Sequence, residues 1–140
     1  MGGEEVNINI KFLIICYLIS KIADWIFQSQ WQADHKSKWN KQDDKLDSTD
    51  AAFTHSIIYS GVTTIGLLIF YGYFPTYIMV LCVLFFTHLF IDTRIPVKWI
   101  MRVKGLTKEQ IADVQNTGFL QIGIDQRLHE FVILILALFI

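Results

Sequence analysis

The sequence predicts an all-α integral membrane protein: a four-helix bundle with two short interfacial helices in the loop between the third and fourth long helices. Three observations point there. Hydrophobic residues make up 53% of the 140-residue chain and the mean hydropathy is positive, at +0.41. The apolar residues gather in four stretches, each near the roughly 20 residues needed to cross a hydrocarbon core. Finally, His88-x-x-x-Asp92 and Asp125-x-x-x-His129 lie inside two of those stretches as mirror images of each other, and ionisable side chains at membrane depth are costly and usually functional. Almost all of the chain is used by these stretches and their connections, so residues 1–140 read as one domain.

The first span covers residues 9–28 and is the least apolar, because Lys11, Lys21 and Asp24 interrupt its FLIICYLI core. The second, residues 51–71, carries Thr54, His55, Thr63 and Thr64 with Gly61 and Gly66, small and hydroxyl residues that let membrane helices approach closely. The third covers residues 76–95 and stops before Pro96; the fourth covers residues 118–140 and ends in FVILILALFI. A tight turn around Gly72 to Pro75 joins the second and third spans, and the polar stretch from Trp31 to Asp50 joins the first two. Residues 96–117 split into PVKWIMRVKG and TKEQIADVQNTG. There Thr107 caps a short helix with Gln110 as its capping-box partner, and both pieces read as interfacial helices. Up-and-down connection of four helices is the simplest assembly.

Net charge is only −1, but its placement is uneven. Lys36, Lys38, Lys41, Lys45, Lys98, Arg102, Lys104 and Lys108 fall in the two long loops, with Arg94 and Arg127 at the margins. The positive-inside rule then puts both long loops in the cytoplasm and both termini outside. Simple anchoring accounts for most of these charges, and attraction of an anionic substrate is the further use. Trp25, Trp31, Trp39 and Trp99 sit at expected interfaces. The local balance of Asp34, Asp43, Asp44, Asp47 and Asp50 against the lysines argues against nucleic-acid binding. Cys16 and Cys82 lie in apolar runs and read as inert small hydrophobes. The opening MGGEE lacks a myristoylation pattern, and the first apolar stretch lacks a signal-peptide cleavage pattern.

On this topology the ionisable residues of all four spans converge at one end: Asp24 and Gln28, then His55, then His88 and Asp92, then Asp125 and His129. Residues four apart share a helix face about 5–6 Å apart at Cβ. The two mirrored clips on antiparallel helices therefore bring His88 level with His129 and Asp92 level with Asp125. The opposite ends, YGYF and ALFI, carry no such groups. Imidazoles and carboxylates together suit zinc, manganese or iron, and inward-facing clips on bundle helices hold two metals in known proteins. The expected cofactor is a divalent metal ion, zinc or manganese. Asp24, His55, His88, Asp92, Asp125 and His129 are the candidate ligands, with Asp24 and Asp125 as candidate general bases. Gln28 and Gln126 would orient them, and Lys36 or Arg127 would meet an anionic group. Ordinary structural uses stand beside each assignment: His55 as polar glue between helices, His88 with Asp92 as a common helix pairing, and Asp24 as a counter-ion for Lys21 or a histidine.

Asp24-Trp25-Ile26-Phe27-Gln28 with Gln30-Trp31 and Lys36, His55 opening the second span, His88-x-x-x-Asp92 and Asp125-Gln126-x-x-His129 together resemble domain-of-unknown-function family 3307. These are small bacterial and phage integral membrane proteins, and the resemblance covers nearly the whole chain. That family often has a histidine one turn before the first Asp, where this chain has Ser20. The family is distantly similar to inner-membrane proteins described as metal-dependent hydrolases. The resemblance implies a membrane metal-dependent hydrolase; the ligand set and the helix N-termini at that face suit a phosphoester or lipid-like substrate, with membrane lipids as surroundings and a homo-oligomer as one assembly. Two other classes fit the same residues. One is an ion or proton transporter or channel subunit, which at this length requires oligomers; the other is a non-catalytic phage or bacterial membrane adaptor.

Overall fold

A computed structural model describes residues 10–36, 45–72 and 75–139. Expectations placed on residues 1–9, on Lys38, Trp39, Lys41, Asp43 and Asp44, on part of the turn after Gly72, and on Ile140 lie outside the described residues. Every described element is helical: α1 (Ile10–Ile26), α2 (Gln30–His35), α3 (Lys45–Tyr71), α4 (Tyr77–Asp92), α5 (Ile95–Val103), α6 (Lys108–Ala112) and α7 (Val114–Phe139).

The four long helices close into a ring, with α3 packed on α1 and α4, and α7 packed on α4 and α1. Their sequence makes this face-to-face closure possible because each has one inward stripe at helical spacing. On α1 the buried residues are Phe12, Cys16, Ile19, Ser20, Ala23 and Asp24. On α4 and α7 the stripes repeat every fourth residue and mirror each other: Val80, Leu84, His88 and Asp92 on one, Asp125, His129, Ile133 and Ala137 on the other. Each stripe is apolar over half its length and polar over the other half. The apolar halves meet in a core of Phe12, Cys16, Tyr59, Leu67, Val80, Leu84, Ile133 and Leu136. Phe12, early in α1, lies against Tyr71 at the end of α3, ring centroids 5.8 Å apart; these two helices therefore run antiparallel. The polar halves form the opposite end of the bundle.

Boundaries differ from the sequence reading in ways local chemistry explains. α3 begins six residues earlier than expected, at Lys45, and α7 four residues earlier, at Val114. Asp113 starts α7 as its cap, its carboxylate accepting the Asn116 N–H at 3.3 Å. α4 stops at Asp92 rather than near Ile95, and α5 leaves at 61° to it. Pro96 lacks the N–H that would bond back to Asp92, and Arg94 takes a left-handed conformation, φ 61°, at the corner. The expected helices α5 and α6 are both present, and Thr107 and Gln110 form the reciprocal capping box. One helix was not foreseen. Within the stretch read as a polar loop, α2 is started by Ser29, whose side chain accepts the Gln32 N–H while Gln32 caps back onto Ser29.

The outer surface is apolar to an unusual degree. Ile14, Leu18 and Ile22 on α1, Ile57, Ile65 and Ile69 on α3, Ile78, Phe86 and Phe90 on α4, and Phe131 and Leu138 on α7 are all exposed. Among the described residues one helix, over Ser48–Tyr71, is long and apolar enough to cross a membrane; the bent α4–α5 pair makes a second if counted as one span. α1, 17 residues long with Lys11, Lys21 and Asp24, does not meet that measure alone. Nor does α7, with Asp125, Arg127 and Glu130 in its middle.

α1 and α3 approach closely at Gly66, where a Cβ would lie 2.7 Å from Ile19 Cγ2, whereas a Cβ on Gly61 would meet nothing within 4 Å. Only the first of the two glycines thus serves helix approach. Gly66→Ala should destabilise the protein by about 1–3 kcal/mol through overpacking. Gly61→Ala should be neutral or stabilising by up to about 1 kcal/mol, since Ala is the better helix former. Thermal unfolding of the two variants in detergent should therefore shift in opposite directions or differ clearly in size.

Candidate metal centre

The inward stripes that build the apolar core also carry its polar end. Continuing α4 by one turn from Leu84 gives His88, and by another gives Asp92; stepping back along α7 from Ile133 gives His129 and then Asp125. His55 projects from α3 one turn before Tyr59, and Asp24 ends the buried face of α1. His55, His88 and Asp92 are at most 1% exposed, and Asp24, Asp125 and His129 are buried as well.

These side chains meet. Asp24 Oδ1 is 3.0 Å from His55 Nε2 and 4.0 Å from His88 Nε2. Asp92 Oδ2 is 3.4 Å from His88 Nε2 and 3.8 Å from His55 Nε2, and its Oδ1 is 3.8 Å from His129 Nε2. Two triads result, Asp24–His55–His88 and His88–Asp92–His129, each with its ligating atoms within 4.8 Å of one another. His88 belongs to both. Its ring is held in a stack, with Tyr59 on one contact at 3.8 Å between centroids and His129 on another at 4.3 Å. Tyr59 was not singled out from the sequence, although its spacing four residues after His55 puts it on the same face of α3.

Several of these buried atoms have no hydrogen-bond partner among the described residues: His55 Nδ1, both ring nitrogens of His88, both oxygens of Asp92, Asp125 Oδ1 and His129 Nε2. Buried polar groups are ordinarily satisfied, and each exception calls for a reason such as an ion. Four ligands at the roughly 2.0–2.1 Å typical of Zn–N bonds lie about 3.3–3.5 Å apart in a tetrahedron. The separations of 3.0 to 4.0 Å here bracket that value, and imidazole with carboxylate is a donor set for zinc, manganese or iron. The residues therefore fit a divalent metal.

Charge in the cluster is balanced in part by Lys36, the C-cap residue of α2. Its ammonium lies 3.4 Å from Asp92 Oδ1 and 3.8 Å from Asp24 Oδ1. It is thus an internal cation rather than a free surface lysine. Gln126 donates to Asp24 Oδ2 at 3.2 Å and accepts from Lys21 at 2.7 Å. Gln28, with its amide oriented to satisfy both ends, donates to the Asp24 carbonyl at 3.1 Å and accepts the Ala33 N–H at 3.2 Å. It ties α1 to α2. Lys21 does not pair with Asp24; it reaches Glu130 at 3.3 Å. Ser20 is buried and donates to the Tyr17 carbonyl, adding no ligand.

Two expected site residues stand apart. Asp125 belongs to neither triad: its Oδ2 is 4.0 Å from His129 Nε2, while its Oδ1 faces Arg94 Nη1 at 3.4 Å. Asp92 and Asp125 are thus not equivalent, because the left-handed corner at Arg94 supplies a cation to one of them. Arg127 is exposed and pairs with Glu130, away from the cluster. Arg94, treated from the sequence as a marginal basic residue, instead lines the site. Asp24, Lys36, Arg94, Asp125, Gln28 and Gln126 border an open cleft of about 410 Å³ whose rim includes Trp25 and Ile122.

Fold and site define a class: an all-helical bundle, apolar outside, with histidines and aspartates from four helices gathered at one end of its interior. Residues 11–140 match the family described as Protein of unknown function (DUF3307), and the chain belongs to that family. No curated protein and no solved structure matches the chain.

Lys36→Met removes the cation shared by Asp24 and Asp92. In protein stripped of divalent ions the expected cost is about 3 kcal/mol, the scale of losing one partner from a buried ion pair. With manganese(II) bound to the same carboxylates the cost should be much smaller. Thermal unfolding of wild type and variant, with and without manganese(II), reads the difference; an equal drop in both conditions would contradict shared use of the carboxylates.

Proposed function

We propose that this protein is a membrane-embedded, divalent-metal-dependent hydrolase acting on a phosphoester. One observation carries the reading: buried imidazoles and carboxylates from four helices form two triads that share His88, and many of their atoms lack a hydrogen-bond partner among the described residues. A purely structural polar core would satisfy those atoms among themselves.

The membrane part is supported by the inverted distribution of polarity. Ionisable groups are inside while Ile, Leu and Phe side chains cover the long helices. An exposed apolar surface of that extent marks contact with lipid or another apolar partner. Under half of the Ser48–Tyr71 stretch is buried, whereas the core helix of a soluble protein would be mostly covered. In this reading α1, α3, α4 and α7 cross the bilayer. α5 and α6 lie in the cytoplasmic interface, with Trp99 exposed beside Lys98 and Arg102. The basic loops then face the cytoplasm and both termini face out.

When bound, a divalent ion would supply Lewis-acid polarisation of a phosphoryl oxygen and activation of water. Asp24, His55, His88, Asp92 and His129 would hold it. Gln126 donates to Asp24 Oδ2 and so orients that carboxylate with Oδ1 toward His55 and His88. Asp125, outside both triads and bordering the cleft, would take the proton of an attacking water. Lys36 neutralises the carboxylates until a metal binds, and Tyr59 keeps the His88 ring in register.

Purified protein should hydrolyse a phosphoester with turnover that depends on added manganese(II) or zinc. Asp125→Asn should lower kcat by about 10²-fold or more, as removal of a general base does, while metal content stays unchanged. His88→Ala should lose both. Absence of turnover across lipid and nucleotide phosphoesters in metal-loaded protein would overturn the hydrolase reading and leave the cluster as an ion or proton relay.

A further inference from the structure

Arg94 is held in an unusual way. It is the only non-glycine residue among those described with positive φ, a conformation disfavoured for a side chain of its size. It occupies the corner where α4 ends and α5 begins. From there its Nη1 lies 3.4 Å from both the Gln121 carbonyl and Asp125 Oδ1. Both contacts run through one nitrogen. A guanidinium has five N–H donors in a planar fork suited to phosphate, so most of that fork is not used by them. Lys98 and Arg102 follow Arg94 at four-residue steps along α5, which makes a basic stripe leading to the same corner.

Charge decides when an anion can enter. With the imidazoles of His55, His88 and His129 neutral, Asp24, Asp92 and Asp125 stand against Lys36 and Arg94 among the described residues, three carboxylates against two cations, so the site as it stands carries one excess negative charge and repels an anion. A divalent ion on the two triads reverses that sign and leaves one excess positive charge beside the cleft. The cleft rim is apolar on the side of α1 and α7, where Trp25 is 74% and Ile122 56% exposed. An acyl chain lying along the outside of the bundle would reach it without crossing water.

We propose that the cleft between α1, α2 and α7 is the phosphate subsite for a lipid substrate, that Arg94 grips the phosphate, and that the subsite binds its anion only after the metal is in place. This deepens the hydrolase reading and rests on its metal site. The metal and the phosphate thus bind with positive coupling, each raising the affinity for the other. The lipid source follows from the apolar rim; free inorganic phosphate shares the chemistry of the subsite but not of the rim.

The test is calorimetric titration of full-length protein in a non-ionic detergent, using inorganic phosphate and dioctanoyl phosphatidic acid, before and after loading with manganese(II). Metal content is measured on the same samples. Stripped protein should bind neither ligand. Loaded protein should bind both, the lipid at least about tenfold more tightly. Arg94→Gln should keep its manganese and bind phosphate about tenfold or more weakly, the scale of a lost charged hydrogen bond. If that variant does not fold, the comparison of stripped with loaded wild type decides alone. Equal binding by stripped and loaded protein, no binding by loaded protein, or wild-type affinity in Arg94→Gln would overturn the proposal. Phosphatidic acid binding no tighter than phosphate would overturn the lipid source. A wild type that takes up no manganese would overturn the metal reading itself, and this inference with it.

Discussion

Two buried carboxylates and three buried imidazoles, in two triads that share His88, are the constraint around which the rest of this protein is arranged. Each buried polar atom left without a hydrogen bond costs about 1–3 kcal/mol, and among the described residues His88 and Asp92 each have both side-chain polar atoms in that state. The apolar half of the bundle offsets that cost. Phe12, Leu67, Leu84 and Ile133 are almost wholly buried, and the close approach at Gly66 brings α1 against α3. The same stripes serve both ends. Because α4 and α7 repeat every fourth residue in opposite directions, the packing that buries Val80 and Ile133 also brings His88 and His129 face to face.

The smaller helices are devices for handling that charge. α2 exists because Ser29 and Gln32 cap it, and its effect is to deliver Lys36 between Asp24 and Asp92. The corner at Arg94 exists because Pro96 cannot continue the α4 ladder, and its effect is to set a guanidinium beside Asp125. Both cations come from segments outside the four long helices. A ring of helices with a negative interior is thus closed at its polar end by two positive side chains, and the opening between them is the cleft. Tyr59 completes the arrangement from below by stacking on His88.

Much of this was legible in the residues themselves. The mirrored His/Asp clips and the polarity of each long stretch predicted which helices meet and at which end, because period and antiparallel order are properties of the chain. The Thr107–Gln110 capping box likewise marked α6. The helix at Gln30–His35 was overlooked although Ser29-x-x-Gln32 carries the same signature, since the surrounding polar residues read as loop. What could not be read locally was the division of labour between the carboxylates. Asp92 and Asp125 look equivalent in the sequence, but Lys36 pairs with the first and Arg94, at its left-handed corner, with the second. The inward turn of Lys36 is also tertiary: it depends on α2 docking against α3, with which it packs.

Bound metal, measured by elemental analysis of detergent-purified wild type beside His88→Ala, tests the central claim most directly, because His88 is the one residue common to both triads. The account predicts near-stoichiometric zinc or manganese in wild type and its loss from a folded variant. A well-folded wild type that neither carries a divalent ion nor takes one up when offered would contradict it, and the cluster would then be a polar core balanced by Lys36 and Arg94 alone.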